Sequence, residues 1–243
     1  MERFKDLNWF KKAHNKAVTI IGNGGIGSWT SIFIARAGFT PVIIDHDTVD
    51  NTNISGQMFF KSQVYMSKVE ATKEIIEDFG GQVSKIYNRK FLRDSHDFLS
   101  LITIVGTDNM TSRKDAWLAW KKKYIVDNKF PEEGIFIDAR LLAESFQIFC
   151  ITNLEDSKTY ETNYLYKENE VQEISCSAKQ TSHYAGGIAF NITRFVTNFL
   201  SSLNGTPTYV PFIYELNGIF SDDTKFLEVP KKEEESKQME LIT

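Results

Sequence analysis

Residues 17–28, AVTIIGNGGIGS, decide the fold. A short β-branched run that stops abruptly in glycines reads as a buried strand over 17–21. The apolar residues beyond the glycines read as a helix over 26–37, closed by Gly38 where left-handed backbone costs little. Gly22, Gly24, Gly25 and Gly27 let the main chain come close to a phosphate, and a helix N-terminus adds free N–H groups and positive potential. The stretch therefore predicts a nucleotide held in a Rossmann-like crevice, with NAD and ATP both open. A glycine turn that serves only strand–helix packing is the plainer alternative.

The alternation continues. Residues 41–45 (PVIID) form a second buried strand, and 68–79 carry apolar residues at helical spacing up to Gly80-Gly81. A weaker strand over 83–87 follows, then a strong one in LITIVG at 101–106, a helix over 109–122, and a strand at 124–127 (YIVD). Apolar strands separated by helices imply right-handed βαβ crossovers and a parallel sheet. After Pro131 the pattern changes. Residues 136–142 and 145–152 read as an antiparallel pair, 153–175 as a polar stretch, 182–203 as a long amphipathic helix and 210–216 as a late strand. The expected class is α/β, a Rossmann-like and mostly parallel sheet flanked by helices, with antiparallel strands added toward the C-terminus. One domain is expected over 1–230, its nucleotide-binding half over about 15–128, with a frayed charged tail at 231–243.

Composition narrows the partners. With 28 Lys plus Arg against 32 Asp plus Glu, the net charge of −4 offers no cation excess for a nucleic acid. No apolar run reaches the roughly 18 residues of a membrane span. The N-terminus is charged and lacks the apolar centre of a signal peptide, so a soluble, cytoplasmic protein is expected. Cys150 and Cys176 are the only cysteines and form no CxxC pair, so neither a disulfide framework nor a four-thiolate zinc site is expected.

Asp45 ends the second strand about twenty residues after the glycines, where an acid can accept hydrogen bonds from ribose hydroxyls. Asp47, Asn53 and Gln57 follow on the same loop, and Lys68 opens the next helix. Thr107-Asp108-Asn109 comes after the LITIVG strand, with Arg113 one turn into the helix. A dehydrogenase needs no second acid, amide and lysine there. A triphosphate does: an acid at a strand end can hold Mg²⁺, and a lysine can neutralise a departing pyrophosphate. Each residue also has a plainer reading. Asp47 and Asn53 can shape the loop, Asp108 or Asn109 can cap the helix, and Arg113 can pair with an acid. Lys68 is the hardest to explain structurally, because the dipole at a helix start disfavours a cation. His183 reads as a polar surface residue.

The stretches GNGGIGS, ARAG, IIDHDTVDNTN, MSKVEATK and TDNMTSR, all within residues 17–113, resemble the ThiF/MoeB-type adenylating enzymes, relatives of the ubiquitin-activating enzymes. FIDARLLAESFQIF, CSAKQTSHYAGGIAF and VPFIYELN are similar to a branch associated with phages and plasmids. The resemblance implies ATP-dependent adenylation of the C-terminal carboxylate of a ubiquitin-like or sulfur-carrier-like protein, by a homodimer. It implies that Gly24 approaches the phosphates and Asp45 holds the ribose. Asn53 and Lys68 then contact the triphosphate, and Asp108 binds Mg²⁺. Gly22, Gly25, Gly27, Asp47, Gln57, Asn109 and Arg113 complete the expected nucleotide-binding set.

Three departures stand out. The family's N-x-x-R-Q carries an arginine that grips phosphate, and here Gly56 occupies its place. An arginine brought from a dimer mate has only Arg3 as a counterpart, and MoeB-like zinc cysteines are absent. Losing such an arginine raises the alternative of a weakened, nucleotide-binding scaffold. Arg140 is the expected substitute cation, unless it pairs with Asp138 or Glu144. Cys176 opens CSAKQT, which resembles the segment around the thioester-forming cysteine of ubiquitin-like-activating enzymes, and Lys179 nearby can lower its pKa. Cys150, inside FQIFCI, reads as an inert buried residue.

Overall fold

The computed structural model describes residues 4–13, 16–142, 145–165, 181–217 and 223–227. A short helix, α1 (Phe10–Ala13), leads into β1 (Ala17–Ile21), α2 (Gly25–Arg36), β2 (Thr40–Asp45), α3 (Lys68–Asp78), β3 (Lys85–Asn88), β4 (Ile102–Val105) and α4 (Met110–Tyr124). The remainder is β5 (Ile135–Leu142), β6 (Ser145–Ile151), α5 (Leu154–Asn163), α6 (Ser182–Ser202), β7 (Ile213–Asn217) and β8 (Asp223–Leu227). Among the described residues the strands form one eight-stranded sheet in the order β3-β2-β1-β4-β5-β6-β7-β8. The first five strands of that order are parallel, and β6, β7 and β8 add on antiparallel. The expected class is the observed one.

The strand order reverses between β1 and β4, because the chain first builds outward through β2 and β3 and then crosses back. Such a switch point opens a crevice beyond the carboxyl ends of the strands. Burial is two-sided. Val18, Ile20, Ile104, Ile137 and Ile148 face a layer that includes Ile188, Ile192 and Phe195 of α6. Ile21, Val105, Phe136 and Phe149 face Trp117 and Trp120 of α4 and Tyr160 of α5. Strands covered on both faces need continuous apolar runs, which is why AVTII and ITIV are so legible in sequence. Among the described residues no helix is long and apolar enough to cross a membrane.

One expectation fails locally, and two elements were not foreseen. Residues 124–127 are not a strand. Helix α4 runs through Tyr124, and Asp127 and Asn128 then take left-handed φ angles of 51° and 54° in a tight turn closed by a Val126–Lys129 bridge. The place beside β4 belongs to β5, whose first half pairs parallel to it, Ile102 with Ile135 and Val105 with Asp138. Nor is the polar stretch after 153 irregular throughout. Asn153 caps α5 by accepting from the N–H groups of Glu155 and Asp156, both at 2.9 Å. Finally, β8 pairs with β7 as a strand that the sequence did not announce. Cys176, Glu144 and Arg3 lie outside the described residues.

The β1–α2 turn is the tightest point. Gly22 has φ +85°, and a Cβ on Gly27 would lie 1.9 Å from the Gly22 carbonyl oxygen. Gly27→Ala should destabilise the chain by at least about 1–3 kcal/mol, as overpacking does. Gly186→Ala, on α6 with its nearest neighbour at an ordinary 3.8 Å, should instead gain about 0.5–1 kcal/mol through helix propensity. Urea unfolding of the two variants checks the contrast; equal shifts would contradict it.

Candidate functional site

Three strand ends meet at the switch point. The Gly22 N–H donates to the Ile44 carbonyl and the Gly106 N–H to the Ile21 carbonyl, both at 2.9 Å, so the loops after β1, β2 and β4 leave the sheet side by side. Helix α2 starts at Gly25 with Gly24 as its N-cap, and no side chain caps it. Its first N–H groups therefore face the crevice uncovered by a capping side chain, the arrangement that suits an anion.

Asp45 organises the next layer. Its Oδ2 accepts the Asn23 N–H at 2.5 Å and its Oδ1 the Asp47 N–H at 2.8 Å, and each oxygen retains a second lone pair for a hydroxyl donor. Lys68 is buried, and its Nζ lies 2.8 Å from Asp47 Oδ2. Burial alone would raise the Asp47 carboxyl. The hydrogen bond and charge of Lys68, with His46 beside it, more than offset this and hold it below the usual value. The Gln57 side chain lies over Gly24, its Nε2 4.0 Å from where a Cβ would sit. Gln57 Oε1 is buried with no hydrogen-bond partner among the described residues. That acceptor, beside the uncapped helix start, is therefore available to a donor.

The structure brings Gly22, Gly24, Gly25, Gly27, Asp45, Asp47, Gln57 and Lys68 into this one cradle. Asn53 sits on the loop before Gln57 and closes a capping box, its Oδ1 accepting the Asp50 N–H at 3.0 Å. Asp108 is exposed on the adjoining β4 loop. Asn109 caps α4 through the Ser112 N–H at 2.8 Å and donates from Nδ2 to Asp108 Oδ1 at 3.0 Å, so the capping residue also orients the acid. Gly56 is where the strand-to-helix path lacks its arginine, and the Trp29 indole N–H holds the Gly56 carbonyl at 3.1 Å.

Arg113 and Arg140 point elsewhere. Both reach Asp138, which is wholly buried on β5. Arg113 also donates to the carbonyls of Ala139 and Thr107, and Arg140 to the Tyr164 carbonyl at 2.8 Å while lying over the Phe149 ring. The Tyr160 hydroxyl donates to Asp138 Oδ2 at 3.0 Å. Burial pushes the Asp138 carboxyl up, but the two guanidinium charges and these hydrogen bonds hold it below its ordinary value. Of the two readings of Arg140, the pair with Asp138 is the one present, because residues 136, 138 and 140 share the sheet face covered by α4 and α5. Arg113 pairs with an acid too, though a buried one. Burial pushes the Cys150 thiol up, in keeping with an inert residue.

Sequence reasoning missed Asn23 and Trp29; it named Asp138 as a partner for Arg140 but not for Arg113. The aspartate inside the apolar run IFIDARL was the available signal for a second cation at Asp138, since a buried charge must be matched.

Residues 2–238 match the ThiF family. The chain belongs to the ThiF family. Among its relatives, the adenylyltransferase and sulfurtransferase MOCS3 of Aedes aegypti is 26% identical over 132 residues, 51% of this chain and 30% of that protein. Ubiquitin-like modifier-activating enzyme 5 of Drosophila pseudoobscura pseudoobscura is 31% identical over 111 residues, 44% of this chain and 28% of that protein. This ThiF-family chain thus aligns with less than a third of either relative. Of solved structures, PaaA superposes with a TM-score of 0.69 at 18% identity, covering 92% of this chain and 67% of that one. Escherichia coli MccB with ATP gives 0.61 at 19%, covering 91% and 65%. At these identities the likeness is one of fold.

Asp138→Ala should cost about 3–5 kcal/mol, because it leaves the buried Arg113 and the half-buried Arg140 guanidinium groups without their shared counter-charge. Denaturant unfolding checks this, and a loss below 1 kcal/mol would mean the arginines reach water easily.

Proposed function

We propose that this chain uses ATP to adenylate the C-terminal carboxylate of a ubiquitin-like or sulfur-carrier-like protein. The observation that carries the reading is the cradle itself: an uncapped helix start, a strand-end acid, and a buried lysine whose ion pair closes the loop between them. The names of two relatives, an adenylyltransferase and a ubiquitin-like modifier-activating enzyme, supply the reaction class. Gly22, Gly24, Gly25 and Gly27 leave the room that phosphates need, and Gln57 Oε1 awaits a donor.

In this reading Asp45 accepts from the ribose hydroxyls and the first turn of α2 faces the phosphates. A carboxylate oxygen of the incoming C-terminus attacks the α-phosphorus, the bond from that phosphorus to the bridging oxygen breaks, and pyrophosphate leaves with the electron pair. Lys68, released from Asp47, takes up the charge that grows on the leaving group, and Asn53 holds its oxygens. Asp108, oriented by Asn109, would hold Mg²⁺, which supplies charge neutralisation at the triphosphate. Arg113 and Arg140 act from behind: Arg113 holds the Thr107 carbonyl and so the loop that presents Asp108. Two copies of the chain form the working assembly. The acyl group then passes to Cys176, whose thiolate attacks the carbonyl carbon as AMP departs.

A second reading, a scaffold that holds nucleotide without turnover, is favoured by Gly56 and by the commitment of both nearby arginines to Asp138. ATP–pyrophosphate exchange in the presence of candidate carrier proteins separates the two. The enzyme incorporates labelled pyrophosphate into ATP, and Asp108→Ala slows this by about 10²-fold or more; nucleotide binding with no exchange supports the scaffold.

Transfer to Cys176 has its own readout. Incubation with ATP and the cognate carrier should give a thiol-sensitive conjugate on a non-reducing gel. It becomes a hydroxylamine-labile ester in Cys176→Ser and disappears in Cys176→Ala. An unchanged conjugate in Cys176→Ala excludes this cysteine.

A further inference from the structure

Asn23, the second residue of the glycine turn, is wholly buried, and its amide is engaged at both ends. Nδ2 donates to the Lys68 carbonyl at 2.9 Å and to Thr72 Oγ1 at 2.7 Å, while Ser31 Oγ donates to Oδ1 at 3.4 Å. Its backbone N–H is the one that Asp45 accepts at 2.5 Å. One side chain therefore touches α2 and both residues 68 and 72 of α3, and its own peptide touches the end of β2. An amide is a costly way to fill a buried space unless its hydrogen bonds do something that packing cannot.

What they do is fix residue 68 from both sides. The Lys68 N–H donates to the Asp47 carbonyl at 2.9 Å, and the Lys68 carbonyl accepts from Asn23. The lysine that carries the only buried ammonium of the cradle thus has its peptide groups pinned by two loops of the same site. Dispersion contacts would let the first turn of α3 slide or rotate; two directed hydrogen bonds do not.

We infer that Asn23 is a positioning residue that registers the start of α3 against the glycine turn, so that the Lys68 ammonium is set for the outer phosphates of a nucleoside triphosphate. The inference rests on the proposed ATP function. Small displacements of a charged group from a bound phosphate are costly, and a shift of about 1 Å can cost up to about 10²-fold.

The test is titration of the full chain, with Mg²⁺, by N-methylanthraniloyl-labelled ATP and by the corresponding AMP. Asn23→Ala should weaken ATP about tenfold and leave AMP within about twofold, since AMP lacks the phosphates that Lys68 reaches. In a Lys68→Met background the same substitution should have no further effect on ATP, the signature of two residues acting as one. Thr72→Val, which removes one acceptor and keeps the volume, should show the same selectivity at about threefold, and it carries the test should Asn23→Ala fail to fold. Equal weakening of ATP and AMP, or an Asn23 or Thr72 effect that persists without Lys68, would overturn the inference and leave Asn23 a packing residue. Failure of the wild-type chain to bind ATP, or binding indifferent to Lys68→Met, would overturn the functional reading and this inference together. ATP binding that depends on Lys68 but not on Asn23 or Thr72 would overturn the inference alone.

Discussion

The Gly22 carbonyl and the α carbon of Gly27 approach each other so closely that no side-chain atom fits between them. That contact sets the angle at which α2 leaves β1, and hence where the first N–H groups of the helix point. Gly106 repeats the constraint on the neighbouring strand, since a Cβ there would lie 3.0 Å from Ile26 Cβ. Three strand ends can run together only because two of them carry almost nothing at the point of contact. Asp45, Asn23 and Lys68 then attach to a frame whose position has already been decided by sterics.

What could be read from sequence follows from this economy. Residues 17–28 and the LITIVG strand are legible because burial on both faces demands uninterrupted apolar residues and close approach demands glycine. Lys68 is legible because a cation at a helix start contradicts the dipole. The strand expected at 124–127 failed because YIVD has strand-like composition, while its path is decided by Asp127 and Asn128, two residues tolerant of left-handed backbone. Helix α5 was hidden in a polar segment, because only part of it packs inward and the Asn153 cap is its main local signal. The pairing of Arg140 with Asp138, two residues away, was one of the readings the sequence offered, whereas the partner of Arg113 was unreadable for another reason. An ion pair 25 residues apart in sequence depends on which face of β5 meets which helix, and a single strand does not declare its neighbours.

Strand β5 joins the two halves of the sheet. Its first residues pair parallel with β4, and Phe136 to Leu142 pair antiparallel with β6. Asp138 sits where the two regimes overlap, and its two arginines reach in opposite directions, one to the β4 loop and one to the end of α5. The parallel and antiparallel parts of the sheet are thus fastened through one carboxylate. A domain divided only by hydrophobic packing could shear along that line; one fastened by directed, buried hydrogen bonds holds its register.

The anchor at Gly56 has a consequence for how such a site changes over time. Trp29 holds the main-chain carbonyl of residue 56, not its side chain, and Gly56 is not among the residues with left-handed φ. The loop is thus held at residue 56 through its main chain, and the backbone angles there do not demand glycine. A lineage can therefore exchange the residue at this position by single codon changes while the Trp29 anchor to its carbonyl remains.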